Sequence, residues 1–402
     1  MKIIDRPLYS KKIIPFIDKG IIKVLTGQRR VGKSCILQQI ENFIKENNPE
    51  ANIISINKEF EEFKYLQTDE DLSEYLKPRI MDDKNNYLFI DEIQDIKGFE
   101  NVLRSLQAKD CCDIYITGSN ATMLSSELST YLSGRYIEFH IHSLGYREFM
   151  SFHQRADNDE TLSLYLTYGG LPYLSRLELT DDMVFEYLRN VYSTILLKDV
   201  VKREGIRNVD FLETLSLYTA DNVGNLFSAS SISKYLKSQR IDISTIQVIN
   251  YLKALNNAFL VDKIGRIDIN GLKKFEIGDK FFFEDIGLRN CRLGFSLQRD
   301  IQKLMENAVY LQLSLLEYEI YTGEIGKREI DFVGIKNGKR VYVQVTYMMY
   351  DEKTSAREFG NLALINDNYP KYVVSMDRLN RGSDVNGIKH LYLSDFLQLE
   401  EL

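Results

Sequence analysis

The sequence predicts an α/β fold, with a doubly wound parallel sheet at the front of the chain and further modules behind it. Three observations predict it. "GIIKVLTGQRRVGKSCILQQIENFIKEN" reads as a short apolar strand, a glycine-bearing loop and a helix with Ile36, Leu37, Ile40, Phe43 and Ile44 at helical spacing. "NNYLFIDEIQDI" (85–96) is an apolar strand that ends on two carboxylates, Asp91 and Glu92. Three more apolar runs, "NIISIN" (52–57), "DIYITGSN" (113–120) and "RYIEFHIH" (135–142), complete a strand–helix alternation.

Size and composition bound the rest. A chain of 402 residues is too long for one ordinary core, so two or three domains are expected. The residues are 44% apolar and 27% charged, which is globular. A net charge of −7 argues against coating nucleic acid through charge alone and leaves a local basic patch open. Cys35, Cys111, Cys112 and Cys291 form no C-x-x-C pair, so they read as thiols of a reducing cytoplasm. No run of eighteen apolar residues predicts a membrane span, and "MKIIDRPLYSKKIIPFIDKG" lacks the pattern of a signal peptide. His140 and His142 alternate onto one strand face; no pattern nearby supplies further metal ligands.

The first loop has the spelling of a phosphate cradle: Gly27, four residues, then Gly32-Lys33-Ser34. Glycines let backbone N–H groups approach phosphate oxygens, and the helix start adds partial positive charge. The expected nucleotide-binding residues are Gly27, Gln28, Arg29, Arg30, Val31, Gly32, Lys33, Ser34 and Cys35. Lys33 reaches the β- and γ-phosphates, and Ser34 offers its hydroxyl to Mg²⁺. The Arg29 and Arg30 side chains carry no assigned role. Asp91 has the Walker B position and completes the Mg²⁺ shell. Glu92 sits one residue on, where a carboxylate polarises the attacking water. Ser119 or Asn120, at a strand end, either senses the γ-phosphate or caps a following helix. Arg135 either reaches the γ-phosphate, in its own subunit or a neighbour's, or is a surface arginine.

"TGQRRVGKS", "LFIDEIQDI", "YITGSN", "LSGRYIEFHIHSLGYREF", "YGGLPYL" and "ILLKDVVKR" follow one another in this order. Together they resemble a bacterial and archaeal family of AAA-like P-loop ATPases with a C-terminal domain of unknown function, of the DUF4143 type. The resemblance spans nearly the whole chain. It implies an ASCE-type ATPase core that prefers adenine, a helical lid and winged-helix region, and a tail resembling the PD-(D/E)XK nuclease fold. The boundaries expected are 1–155 for the P-loop core, 156–290 for lid and winged helix, and 291–402 for the nuclease-like tail.

The rear pattern agrees with this order. Residues 159–202 read as helices broken at Gly169-Gly170 and Pro172. Helix, turn, helix and wing fit residues 227–266, where Lys234, Lys237, Arg240 and Lys253 are candidate phosphate contacts. The second of these helices has one Lys and no Arg, which suits a protein interface equally. "EIDFVGI", "KNGK" and "RVYVQVTYMM" make a hairpin. In the nuclease-like fold the metal positions fall on Glu306, Asp331 and Gln344, and the water-activating lysine on Thr346. Gln344 offers only a neutral oxygen, so a degenerate fold is expected. Lys353 is a poor substitute for the missing lysine, and Glu306 and Asp331 have Lys327 and Arg328 as structural partners to hand.

The expected function is Mg²⁺-dependent ATP binding and hydrolysis in a cycle that moves the rear modules. The target is DNA or an assembly state such as a homo-oligomer. The alternatives are an ATP-gated protein-interaction switch with slow turnover and a DNA nuclease acting through the tail.

Overall fold

A computed structural model of the chain describes residues 4–121, 132, 134–238, 241–272, 274, 278–294, 296–349, 352–379 and 381–402, leaving aside the side chains of 297, 298 and 352–356. The helix expected after Asn120, Arg240 and the Lys353 side chain lie outside the described residues. Packing divides the chain into two units, Met1–Ile141 with Asn257–Phe259, and His142–Asn256 with Leu260–Leu402.

In the first unit, α1 (Pro7–Ile13) precedes β1 (Ile22–Thr26), α2 (Lys33–Asn47), β2 (Asn52–Asn57), α3 (Asp69–Leu76), β3 (Asn86–Asp91), α4 (Phe99–Lys109), β4 (Asp113–Gly118) and β5 (Tyr136–His140). The strands lie in the order β2-β3-β4-β1-β5, and every neighbouring pair is parallel. All five strands read from the sequence form this sheet. Val24, Ile54, Ile56, Leu88, Ile90, Ile114 and Ile116 alternate along their strands and share one buried core with Leu72, Phe99 and Leu103 of the helices. Thr68 and Asp71 close a capping box at the start of α3. Lys23, in the middle of the sheet, is fully buried; it pairs with Asp113 and lies 4.6 Å over the Tyr115 ring.

The second unit begins with α5 (Tyr146–His153), α6 (Asp159–Tyr168) and α7 (Asp181–Thr194). The last of these runs on as a π-helix over Ile195–Lys202, where buried Asp199 pairs with Arg203 at 3.4 Å. Next come α8 (Val209–Asp221), α9 (Ala229–Ser238) and α10 (Thr245–Asn257). Strand β6 (Val261–Ile264) pairs antiparallel with β8 (Lys280–Phe283), while β7 (Arg266–Asp268) between them joins another sheet. That sheet, after α11 (Ile286–Leu293) and α12 (Leu297–Leu315), contains β9 (Glu319–Ile325), β10 (Arg328–Lys336) and β11 (Lys339–Val345). With α13 (Glu352–Ala363), β12 (Lys371–Ser375), β13 (Asp384–Val385), β14 (Ile388–Tyr392) and α14 (Leu393–Leu397) it is completed in the order β13-β14-β12-β11-β10-β9-β7. Its edge strand β7 is thus drawn from before residue 290. The expected hairpin is β10 and β11, with Asn337 and Gly338 both at positive φ (51° and 75°) in a two-residue turn.

The "YGGLPYL" stretch is explained by Asp285. Its Oδ2 accepts from the Gly170 N–H at 2.8 Å, and its Oδ1 from the Leu288 N–H at 3.0 Å at the start of α11. Burial pushes the Asp285 carboxyl up to about 6, against the pull of these amides. A Cβ on Gly170 would stand 2.2 Å from the Leu144 carbonyl oxygen, which is backbone and cannot yield. Gly170→Ala is therefore expected to cost about 2 kcal/mol or more and lower the thermal midpoint by several degrees; an unchanged melting curve would contradict this packing.

His153 lies against Phe149, ring centroids 4.2 Å apart, and burial with nearby Arg155 pushes its imidazole down to about 4. The unfolded chain binds that proton more tightly, near pH 6.5. The sign follows: stability is retained above pH 6.5 and declines as pH falls toward 4, by up to about tenfold in the folding equilibrium per pH unit. Urea unfolding over this window is expected to show a shallower decline for His153→Gln than for wild type.

Candidate active site

The phosphate loop is shaped by two glycines. Gly27 ends β1 at φ 137°, and a Cβ there would lie 2.1 Å from the Ile141 carbonyl oxygen. Gly32 is left-handed (φ 99°) and serves as N-cap of α2, so the helix starts at Lys33 with its free N–H groups facing the loop. Lys33 is buried and folds back over the loop, donating from Nζ to the carbonyls of Gly27 (2.9 Å) and Gln28 (3.0 Å). These carbonyls hold the ammonium where an anion in the cradle can meet it. Arg29 is buried and faces Glu59 at 3.7 Å, whereas Arg30, Ser34 and Cys35 are exposed. Arg6, the residue before α1, is also buried; it donates from Nη1 to the Val31 carbonyl at 2.9 Å and braces the loop.

Asp91 and Glu92 lie at the end of β3, one strand removed from β1. The strand between is β4, and its Thr117 joins the pair. Thr117 Oγ1 donates to Asp91 Oδ1 at 2.5 Å and accepts from the Glu92 N–H at 2.9 Å. Asn57 Nδ2 donates to Asp91 Oδ2 at 3.2 Å. Burial lifts the Asp91 carboxyl above its ordinary value; the Thr117 and Ser34 hydroxyls and the Lys33 charge pull it back. The Ser34 hydroxyl lies on the Asp91 side of the loop, near enough to favour the ionised carboxylate. Glu92 has left-handed backbone (φ 58°, ψ 50°), a conformation that costs a non-glycine residue about 1–3 kcal/mol. Its carboxylate accepts from Ser119 Oγ at 3.1 Å and from the Gln94 amide.

Register places the remaining candidates. Thr26 pairs with Gly118, so Ser119 and Asn120 lie beyond β4 at the same sheet edge as Gly27, and both are buried. Arg135 does not join them. Ile22 pairs with Tyr136, and the Ile22 N–H donates to the Arg135 carbonyl at 3.0 Å, which puts Arg135 at the opposite end of β1. One strand length, about 16 Å, separates it from the loop within its own subunit. His140 closes β5, with its Nδ1 3.2 Å from Thr26 Oγ1; His142 lies beyond the strand, with its Nδ1 3.0 Å from Glu284 Oε2.

Sequence reasoning missed Thr117, Arg6 and the short return of the chain at Asn257–Phe259. The Phe259 carbonyl accepts from Gln28 Nε2 at 2.7 Å, and the Asn257 carbonyl accepts from the Ala121 N–H at 2.9 Å. No local pattern marks these residues: each is recruited by the tertiary fold.

Residues 19–150 match an AAA domain family, and residues 159–299 match a domain of unknown function, DUF8612, where a DUF4143-type domain was expected. An uncharacterized protein of Methanocaldococcus jannaschii is 29% identical over 372 residues, covering 89% of this chain and 80% of its own. A Walker-type ATPase of Pyrococcus abyssi superposes with a TM-score of 0.49 at 16% identity, over 72% of this chain and 95% of that one. An uncharacterized protein of Haemophilus influenzae is 33% identical over 402 residues, 98% of each chain. The chain belongs to the family of AAA-domain proteins that includes this Haemophilus protein.

Proposed function

We propose that the protein binds and hydrolyses ATP with Mg²⁺ and uses the cycle to act on its rear modules. The observation that carries this is the arrangement around Thr117, which fixes Asp91 and Glu92 side by side at the sheet edge that holds the Lys33 loop. The donor set fits a hard cation: the Ser34 hydroxyl and Asp91 carboxylate supply oxygen ligands, and bound Mg²⁺ neutralises phosphate charge. Lys33 exchanges its two carbonyl partners for phosphate oxygens, so the loop holds its lysine in waiting at little cost in reorganisation. Glu92 orients the attacking water and takes its proton; its strained backbone and the Ser119 and Gln94 donors set where the carboxylate stands. Asn120 is the polar group we assign to the γ-phosphate from the neighbouring strand end. Arg135 has no role in this site within one subunit.

The nucleotide state has a route out of the loop. Gln28, just beyond β1, and Ala121, just beyond β4, donate to the carbonyls of Phe259 and Asn257, the short stretch where α10 ends. We read α8, α9, α10 and the β6/β8 pair as a winged helix. Its exposed surface favours a protein partner over DNA. Lys234, Lys237 and Lys253 are exposed, but so are Ile246 (70%) and Ile249 (50%) on the outer face of α10, in the place of groove-reading polar residues.

Steady-state phosphate release tests the chemistry. Glu92→Gln is expected to lose at least about 100-fold in turnover while still binding ATP, and Lys33→Ala to lose binding and turnover together. Thr117→Val, which leaves the Asp91 carboxylate and the Glu92 amide without their shared partner, is expected to lower kcat with a smaller change in KM. Wild-type turnover in Glu92→Gln would refute the assignment. For the output, turnover is expected to be unchanged by single- or double-stranded DNA; stimulation of several-fold would move the reading to a DNA-directed motor.

A further inference from the structure

Glu306 on α12, Asp331 on β10 and Gln344 on β11 do converge, but the cation among them comes from a strand that the tail pattern does not include. Lys280 opens β8 and is 2% exposed. Its Nζ lies 2.8 Å from Glu329 Oε1, 3.7 Å from Asp331 Oδ1 and 3.8 Å from Glu306 Oε2. Neither Lys327 nor Arg328 takes this role; Arg328 instead donates to Asn361 Oδ1 at 3.0 Å.

The second oxygens of Asp331 and Glu306 are committed to protein donors, while Glu306 Oε2 is buried and has Lys280 as its charge partner without a hydrogen bond. Asp331 Oδ2 accepts from the Val345 N–H at 2.8 Å, and Glu306 Oε1 from Gln302 Nε2 at 3.0 Å. Gln344 Oε1 faces the Asp331 N–H at 3.4 Å. Thr346 is buried at the position of the lysine that a nuclease site would present. A divalent ion needs several of these oxygens at roughly 2.0–2.6 Å, and the ammonium stands between the carboxylates that would supply them. Charge agrees with geometry. Burial alone would lower the Lys280 ammonium, yet Asp331, Glu306 and Glu329 together hold it above its ordinary range. Burial lifts Glu306 to about 8 and Asp331 to about 6, with Lys280 opposing both shifts. A second positive centre inside this group would meet Lys280 at close range in a poorly solvated place.

We infer that Lys280 is the resident cation of this cluster: its ammonium stands where a metal-dependent nuclease places a divalent ion, and it takes the place of metal among these carboxylates. The acidic residues then serve to anchor β8 to α12 and β10, and the tail is a fixed binding or assembly module.

The test counts Mn²⁺ bound by nucleotide-free, full-length protein, from the electron paramagnetic resonance signal of the free ion. Wild type, Asp331→Asn and Glu306→Gln are expected to bind the same number of equivalents. Loss of one equivalent in either variant would overturn the inference, because the metal would then share the cluster with Lys280. Lys280→Ser is expected to gain one equivalent over wild type, and Lys280→Ser/Asp331→Asn to lose it again. A Lys280→Ser chain with wild-type circular dichroism and a wild-type Mn²⁺ count would equally overturn it. The comparison of wild type with the two carboxylate variants decides the matter without relying on the folding of any Lys280 variant.

Discussion

Between the strand that runs into the phosphate loop and the strand that ends in Asp91 lies β4, and a single hydroxyl on it has both of its hydrogen-bonding capacities in use. Thr117 gives its proton to Asp91 and takes one from the Glu92 backbone. The order β2-β3-β4-β1-β5 makes this geometry available, since an adjacent β1 and β3 would leave no intervening side chain. The placement of Asp91, the left-handed turn at Glu92 and the Ser119 donor all presuppose that β4 sits where it does. A hydroxyl suits the place because it is donor and acceptor at once; a valine of the same shape is neither.

The rear unit is organised around buried charge in a comparable way. Asp285 ties the Gly169-Gly170 turn to the start of α11, and Lys280 ties β8 to α12 and β10. Asp300 on α12 is held by buried Arg289 of α11 at 3.3 Å. Each of these groups is costly to bury alone and acceptable when paired, so each fixes one relative placement of two elements.

Legibility in the sequence followed range. The loop from Gly27 to Ser34, the Asp91-Glu92 pair and the Asn337-Gly338 hairpin are written in consecutive residues, because their geometry is set by local backbone and strand polarity. The strands of the front sheet were readable for the same reason: β1, β3 and β4 are buried along almost their whole length and so are short apolar runs, and the edge strands β2 and β5 keep enough apolar residues to show. Lys23 shows the limit of that rule, being a charged residue inside such a run, kept there by Asp113 and the Tyr115 ring. Arg135 shows another. Its nearness to an apolar strand was visible, but which end of the strand it occupies relative to β1 depends on the register of two parallel strands. Thr117 and Lys280 were silent because each acts through partners distant in sequence. The lysine missing at Thr346 was noticed; its counterpart on β8 could be found only once the strands were placed.

The return of Asn257–Phe259 to the front unit has a consequence for how the molecule can be divided. The chain leaves that unit after Ile141, comes back for three residues in the middle of what reads as a separate module, and leaves again. The nucleotide-binding unit is thus discontinuous in the gene product. A fragment cut near residue 150, where the AAA match ends, lacks the carbonyls that accept from Gln28 and Ala121. It would carry two interior N–H donors turned toward solvent at the edge of the phosphate loop, as well as a bare His140 ring where Phe259 now packs at 4.8 Å. Synthesis on the ribosome imposes the same condition in time, since the front unit cannot finish its own packing until more than a hundred further residues have emerged.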